Sequence, residues 1–186
     1  MSGFIYTSYE GADPEKGWIM SDPILAAVPT LGACVPNIRR AVKLGDWIFT
    51  VSGRVPGVAQ YVVGGFQVTE KIDQLAAYKR FPENHVRRAK SGQLTGNVIV
   101  QADGTQHPDD RHANFERRIE NYLVGHNPIL LDEPNEVARA RAETLGTLSR
   151  IFDREGNRVF DIIARGRKMD DKQVEELRGW LLSIKN

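Results

Sequence analysis

Hydrophobic residues along the chain fall into short runs, and their spacing alternates between two periods. Gly3-Phe4-Ile5-Tyr6-Thr7 is a β-prone start, followed by the acidic, turn-rich stretch Glu10–Pro14. Cys34 to Gly45 predicts a short helix, with Pro36 near its start and Gly45 at its exit. Its apolar positions Ile38, Ala41 and Val42 share a face, which turns Arg39, Arg40 and Lys43 outward. Asp46 to Ser52 is the strongest strand pattern in the chain, and Tyr61 to Thr69 is a second. That second strand is expected to bulge at Gly64-Gly65 and to pair antiparallel with the first.

A helix is predicted over Glu70–Tyr78, a strand over Asn97–Gln101, a helix over Asn114–Tyr122 and a strand over Pro128–Asp132. The last third predicts a helix over Glu136–Ser149, a hairpin around Asp153–Arg158, and a final helix from Asp171. Val174, Leu177, Leu181 and Ile184 form a regular stripe on that helix, the mark of a core face. Long crossover helices are missing between the central strands, which argues against a doubly wound parallel sheet. The expected class is α+β: a small mixed, mostly antiparallel β-barrel with flanking helices and a helical C-terminal segment. Residues 1–134 are read as the barrel domain, and 135–186 as an extension packed on it.

At 186 residues, with 41% hydrophobic and 26% charged side chains, the chain fits one domain or one domain with an extension. No apolar run approaches the roughly 20 residues of a membrane helix. The N-terminal stretch lacks the pattern of a secretory signal, so a cytoplasmic protein without a membrane partner is expected. The single cysteine excludes a disulfide framework. Net charge is only +1, yet residues 36–90 hold 10 basic against 4 acidic side chains. These side chains could form a phosphate-facing patch or simply ordinary solvated faces.

The run Cys34-Val35-Pro36-Asn37-Ile38-Arg39-Arg40 leading into Gly45-Asp46-Trp47-Ile48 resembles the signature of the nucleotide modification associated domain 2 family. The likeness continues through Tyr61–Glu70, more faintly at His107 and over Tyr122–Pro134, and spans roughly residues 4–134. More loosely, the aromatic strand after Gly-Asp and the strand leading into a helix look like the PUA-like barrels of EVE, ASCH and YTH domains. The resemblance implies a PUA-like barrel that seats a nucleotide or a modified nucleic-acid base, in a system that modifies or senses such bases.

Two physical points bear on that expectation. Guanidinium forks such as those of Arg39 and Arg40 suit phosphate, and the Asp46 carboxylate can accept from base amino groups. Trp47 and Tyr61 belong to an aromatic series with Phe49 and Phe66, whose members can form a stacking wall or simply core. His107 is a further candidate, as a hydrogen-bonding group from a loop over the barrel mouth.

No cofactor, metal site or catalytic residue is assigned. Cys34 lies just before a helix start, but no histidine base is near it in sequence, and a buried thiol is the simpler role. The run His107–His112 lacks helical ligand spacing, which favours a solvated loop over a metal site. No phosphate loop, nucleophile elbow or zinc-protease motif is present. Three readings follow: a reader of nucleotides or modified bases; an enzyme using Cys34 or the His107–His112 loop; and a scaffold docking a partner enzyme through its C-terminal helix. A homodimer is the other partner state expected.

Overall fold

A computed structural model describes residues 2–185. The strands are β1 (Gly3–Thr7), β2 (Thr30–Leu31), β3 (Trp47–Val51), β4 (Val62–Ile72), β5 (Arg87–Arg88), β6 (Leu94–Thr95), β7 (Tyr122–Leu130) and β8 (Gly166–Met169). The helices are α1 (Pro36–Ala41), α2 (Gln74–Arg80), α3 (Pro134–Phe152), α4 (Val159–Ile163) and α5 (Asp171–Lys185). They form two compact units: unit 1 holds residues 1–18, 45–67 and 127–186, and unit 2 holds 19–44 and 68–126. The division does not follow chain order, since residues 135–186 group with 1–18 and 45–67. β4 and β7 contribute residues to both units.

In unit 1, β1 runs parallel to β3, with Gly3 opposite Trp47 and Thr7 opposite Val51. On its other side β1 pairs antiparallel with β8. β3 and β4 form the expected antiparallel pair, from Trp47 opposite Gln67 to Val51 opposite Val62. The register shifts between Thr50 and Val51, so the bulge lies at Val63, beside the paired glycines. A side chain at Gly64 would collide with the Ile129 carbonyl, and one at Gly65 with the Ile48 carbonyl. Only glycine permits both close approaches.

All five residues of β3 are buried, because both faces of this strand are covered. The α5 stripe behaves as its spacing predicts: Val174, Leu177, Leu181 and Ile184 are all buried. The Trp180 indole donates to Glu143 of α3 at 2.8 Å, fixing one helix against the other. The hairpin predicted around Asp153–Arg158 does not form. Asp153 instead ends α3 in the left-handed conformation, and Asp161 accepts the Arg158 N–H at 3.1 Å to start α4.

In unit 2, β2 pairs antiparallel with β7, Thr30 opposite Val124. β4 extends to Ile72 where a helix is predicted, and α2 begins only after Asp73, whose carboxylate caps the Ala76 N–H at 2.7 Å. Residues 97–101 form single bridges rather than a strand. The helix predicted over 114–122 is one short 3-10 turn, Phe115–Arg117. Ala77, Phe81, Val98, Tyr122 and Val124 form the hydrophobic centre of this unit.

The α+β class with a mixed, largely antiparallel sheet holds. Among the described residues the ladders stay open: β8–β1–β3–β4–β7 in unit 1 and β2–β7–β4 in unit 2. No described helix is long and apolar enough to cross a membrane.

Candidate functional site

The signature segment of unit 2 is held from beneath by one carboxylate. Asp22 accepts the backbone N–H groups of Gly32 (2.7 Å), Ala33 (2.9 Å) and Cys34, and the Asn97 side-chain amide at 3.1 Å. Residues 32–34 lie between β2 and α1, outside any ladder or helix, so Asp22 supplies the partners that secondary structure does not. Gly32 is obligatory here, since a Cβ would run into the Tyr122 ring and the Asn97 carbonyl.

Behind this loop lies a buried polar network. Asn97 and Asn84 both donate to the Thr30 hydroxyl, at 3.0 and 3.3 Å. Asn84 also donates to the Tyr122 hydroxyl at 3.1 Å, which donates onward to Asn97 Oδ1 at 2.7 Å. The Gln74 amide donates to the Gly32 and Asn97 carbonyls, and its oxygen accepts the Ile99 N–H at 3.0 Å. A network this fully partnered fixes one arrangement of the loop.

Val35 follows in the left-handed region, at φ 43° and ψ 54°. A β-branched residue there is a genuine outlier, sustained only by rigid surroundings. Pro36 then opens α1.

Arg39 corrects the outward placement predicted from helix periodicity. It is 0% exposed, and its guanidinium donates to the carbonyls of Cys34 (2.8 Å), Ala33 (3.2 Å), Arg118 (3.2 Å) and Asn121. Those carbonyls lie where the chain makes no ladder, and the five-donor guanidinium reaches all four. Arg118 adds a second clamp on Ala33 at 2.7 Å. Arg40, one position on, is exposed, and its guanidinium donates to Asn37 Oδ1 at 3.2 Å. Neighbouring arginines therefore take opposite roles: one holds the segment and one faces solvent.

Burial and the Asp22 carboxylate push the Cys34 thiol well up, outweighing the nearby Arg118 and Arg39 charges. A raised pKa disfavours the thiolate that nucleophilic chemistry needs, and Cys34 is half-buried. In the His107–His112 loop, His107 Nδ1 accepts the Asp109 N–H at 3.2 Å. His112 pairs with Asp110 at 2.6 Å, and Arg88 with Asp109 at 2.9 Å. Gln106 donates to Asp110 at 2.7 Å, so the loop's polar groups are tied to one another. Among the described residues no group of three metal-ligating side chains converges.

The six residues singled out from sequence divide three and three: Arg39, Arg40 and His107 in unit 2, and Asp46, Trp47 and Tyr61 in unit 1. Asp46 accepts from the Ser2 N–H and hydroxyl, at 3.0 and 2.9 Å, tying the start of β1 to the start of β3. Trp47 is 3% and Tyr61 1% exposed, so both occupy core positions instead of an open stacking wall. Trp47 stacks on Phe49 at 5.5 Å between centroids, and the Arg178 guanidinium lies 5.6 Å from its ring. Arg141 covers the Tyr61 ring at 4.6 Å and pairs with the buried Asp13 at 2.7 Å. Sequence reasoning did not find Asp22, Gln74, Asn97 or Tyr122. Their one visible signal was Gly32, two residues before the signature run.

No curated protein matches the chain. Among solved structures, a crystal structure of the human THYN1 protein in complex with DNA containing 5-methylcytosine is similar. It shows 13% identity and a TM-score of 0.40, covering 100% of this chain and 99% of that one. Residues 22–125, more than half of the chain, match the nucleotide modification associated domain 2 family. The matched segment begins at Asp22 and takes in the signature helix, the clamped loop and the whole polar network. The chain belongs to the nucleotide modification associated domain 2 family.

Proposed function

We propose that the protein binds a nucleotide or nucleic acid carrying a modified base, and that unit 2 makes the phosphate contact. The observation that carries this reading is the coincidence of family match and charge. All of unit 2 except residues 19–21 and 126 lies inside the matched segment. This unit holds 12 basic and 9 acidic side chains, a balance of +3, while unit 1 has a balance of -2.

Arg40 is the phosphate contact in this reading. It is exposed, and it sits on a helix whose root is fixed by Arg39 and Asp22, so little ordering remains for binding to impose. Lys43 is exposed on the same segment. His107, half-buried with Nδ1 already engaged, offers its Nε2 edge as a ligand hydrogen bond.

Fluorescence anisotropy with short oligonucleotides and free nucleotides, each with and without base modification, tests the reading, with product chromatography alongside. Salt-sensitive binding that prefers at least one modified base is the expected result. Binding indifferent to modification throughout the panel would overturn the reader, and a new product would favour the enzyme.

A further inference from the structure

We infer that the β5–β6 ribbon is a contact for the phosphodiester backbone of a polymeric nucleic acid, separate from the signature segment. This rests on the proposed function and deepens it, since it selects a strand over a free nucleotide as ligand.

β5 and β6 form a two-stranded sheet of their own among the described residues, Arg87 opposite Thr95 and Arg88 opposite Leu94. The Gly92 N–H closes the turn on the Ala89 carbonyl at 2.9 Å, and Gly92 takes φ 85°. That left-handed residue gives a short hairpin with Lys90-Ser91 at its tip. Between residues 79 and 95 there are five cations, Lys79, Arg80, Arg87, Arg88 and Lys90, and one acid, Glu83. Arg80 pairs with Glu70 and Arg88 with Asp109. Arg87 and Lys90 are exposed and make no ion pair with a carboxylate among the described residues. The Arg87 guanidinium donates to the Glu83 carbonyl at 2.7 Å, which orients it without neutralising it.

The ribbon is also anchored. Gln93 exchanges two hydrogen bonds with the Ile19 backbone, at 3.0 and 2.7 Å. At the other end His85 stacks on Tyr78 at 4.0 Å and bonds the Tyr78 carbonyl at 2.8 Å. An anchored two-stranded ribbon with one unneutralised cation at its tip, Lys90, and another on β5, Arg87, suits a groove or a backbone, because both present closely spaced phosphates. A mononucleotide carries its phosphates at one end and lacks the row of phosphates that a strand lays along a ribbon.

The test compares the parent protein with the Arg87→Ala/Lys90→Ala double variant and with Lys90→Glu alone, since Lys90 is exposed and its side chain makes no hydrogen bond or ion pair among the described residues. Each is measured against a modified-base oligonucleotide across a salt series, and against the matching mononucleotide. Weaker oligonucleotide binding is expected, with the slope of log K against log salt reduced in the double variant by about 1.4 for a single strand or about 1.8 for a duplex. Mononucleotide affinity stays at the parent value. An unchanged slope in both variants overturns the ribbon contact and leaves the proposed function standing. Equal losses for both ligands overturn it too, placing the ribbon at the base site. A parent that binds anionic vesicles but no oligonucleotide overturns both readings.

Discussion

The Tyr122 hydroxyl donates to Asn97 Oδ1 at 2.7 Å while accepting from Asn84 at 3.1 Å. Both of its hydrogen-bonding directions are used inside a 0% exposed position. Tyr122→Phe removes the hydroxyl without changing the ring. It leaves Asn97 an acceptor and Asn84 a donor short of a partner, at a cost of about 1–3 kcal/mol. Chemical denaturation checks this, and a stability within error of the parent would show that water replaces the lost bonds.

The same phenol gives a pH signature. Burial raises its pKa from 10 to about 12, so the folded state favours the neutral form. Its stabilisation is complete below pH 10 and is lost as pH rises through about 12. Tyr61, also raised by burial, is common to both proteins and cancels in the comparison. The stability gap between the parent and Tyr122→Phe therefore narrows between about pH 10 and 12. A constant gap would contradict the burial effect.

Arg39 and Arg40 separate folding from binding. Arg39→Ala strands four buried carbonyl contacts, and a loss of at least about 3 kcal/mol is expected. Arg39→Lys recovers only part, because three donors on a flexible stem do not reproduce the fork. Arg40→Ala stays within about 0.5 kcal/mol of the parent in stability. It reduces the salt slope of oligonucleotide binding by about 0.7–0.9. Urea titration and anisotropy on the same three variants settle the assignment.

Trp47→Ala is expected to cost about 3–5 kcal/mol of stability, the range for truncating a core aromatic. At temperatures where the variant remains folded, its ligand affinity equals that of the parent. A folded Trp47→Ala with weakened binding would return Trp47 to the site.

Arg141→Met probes the buried end of unit 1. Asp13, 1% exposed, keeps the Glu15 N–H at 3.2 Å but loses its guanidinium partner. An uncompensated buried carboxylate costs about 3–5 kcal/mol. The companion Asp13→Asn/Arg141→Met recovers part of that loss, which a double-mutant cycle measures.

What periodicity governs was legible from sequence. The β3–β4 pair follows from two β-branched and aromatic runs around a Pro-Gly turn, and the buried stripe of α5 from its spacing. The bulge was signalled by Gly64-Gly65. Periodicity also misplaced Arg39, because a six-residue helix has too little length for its faces to decide burial against four waiting carbonyls. The hairpin predicted at 153–158 failed for a related reason: Asp153 itself takes the left-handed turn usually left to glycine. The Asp22–Asn97–Tyr122 network has no local signature, since its members lie 75 and 25 positions apart and polar residues carry no period. Of the candidate site, the signature segment was legible and the scaffold beneath it was not.

The pairing of β1 with both β3 and β8 sets an order of events during synthesis. Every residue of unit 2 has been made by His126, and that unit draws on no later part of the chain. Unit 1 starts earlier and finishes later. β1 gains its parallel neighbour once residue 51 is made, yet its other edge stays unpaired until Gly166–Met169 appear. For more than 100 residues of translation the nascent chain carries an apolar strand with one open edge. Stalled or truncated products ending before residue 166 therefore expose the Phe4–Tyr6 edge, and these are the species for which chaperones and self-association compete.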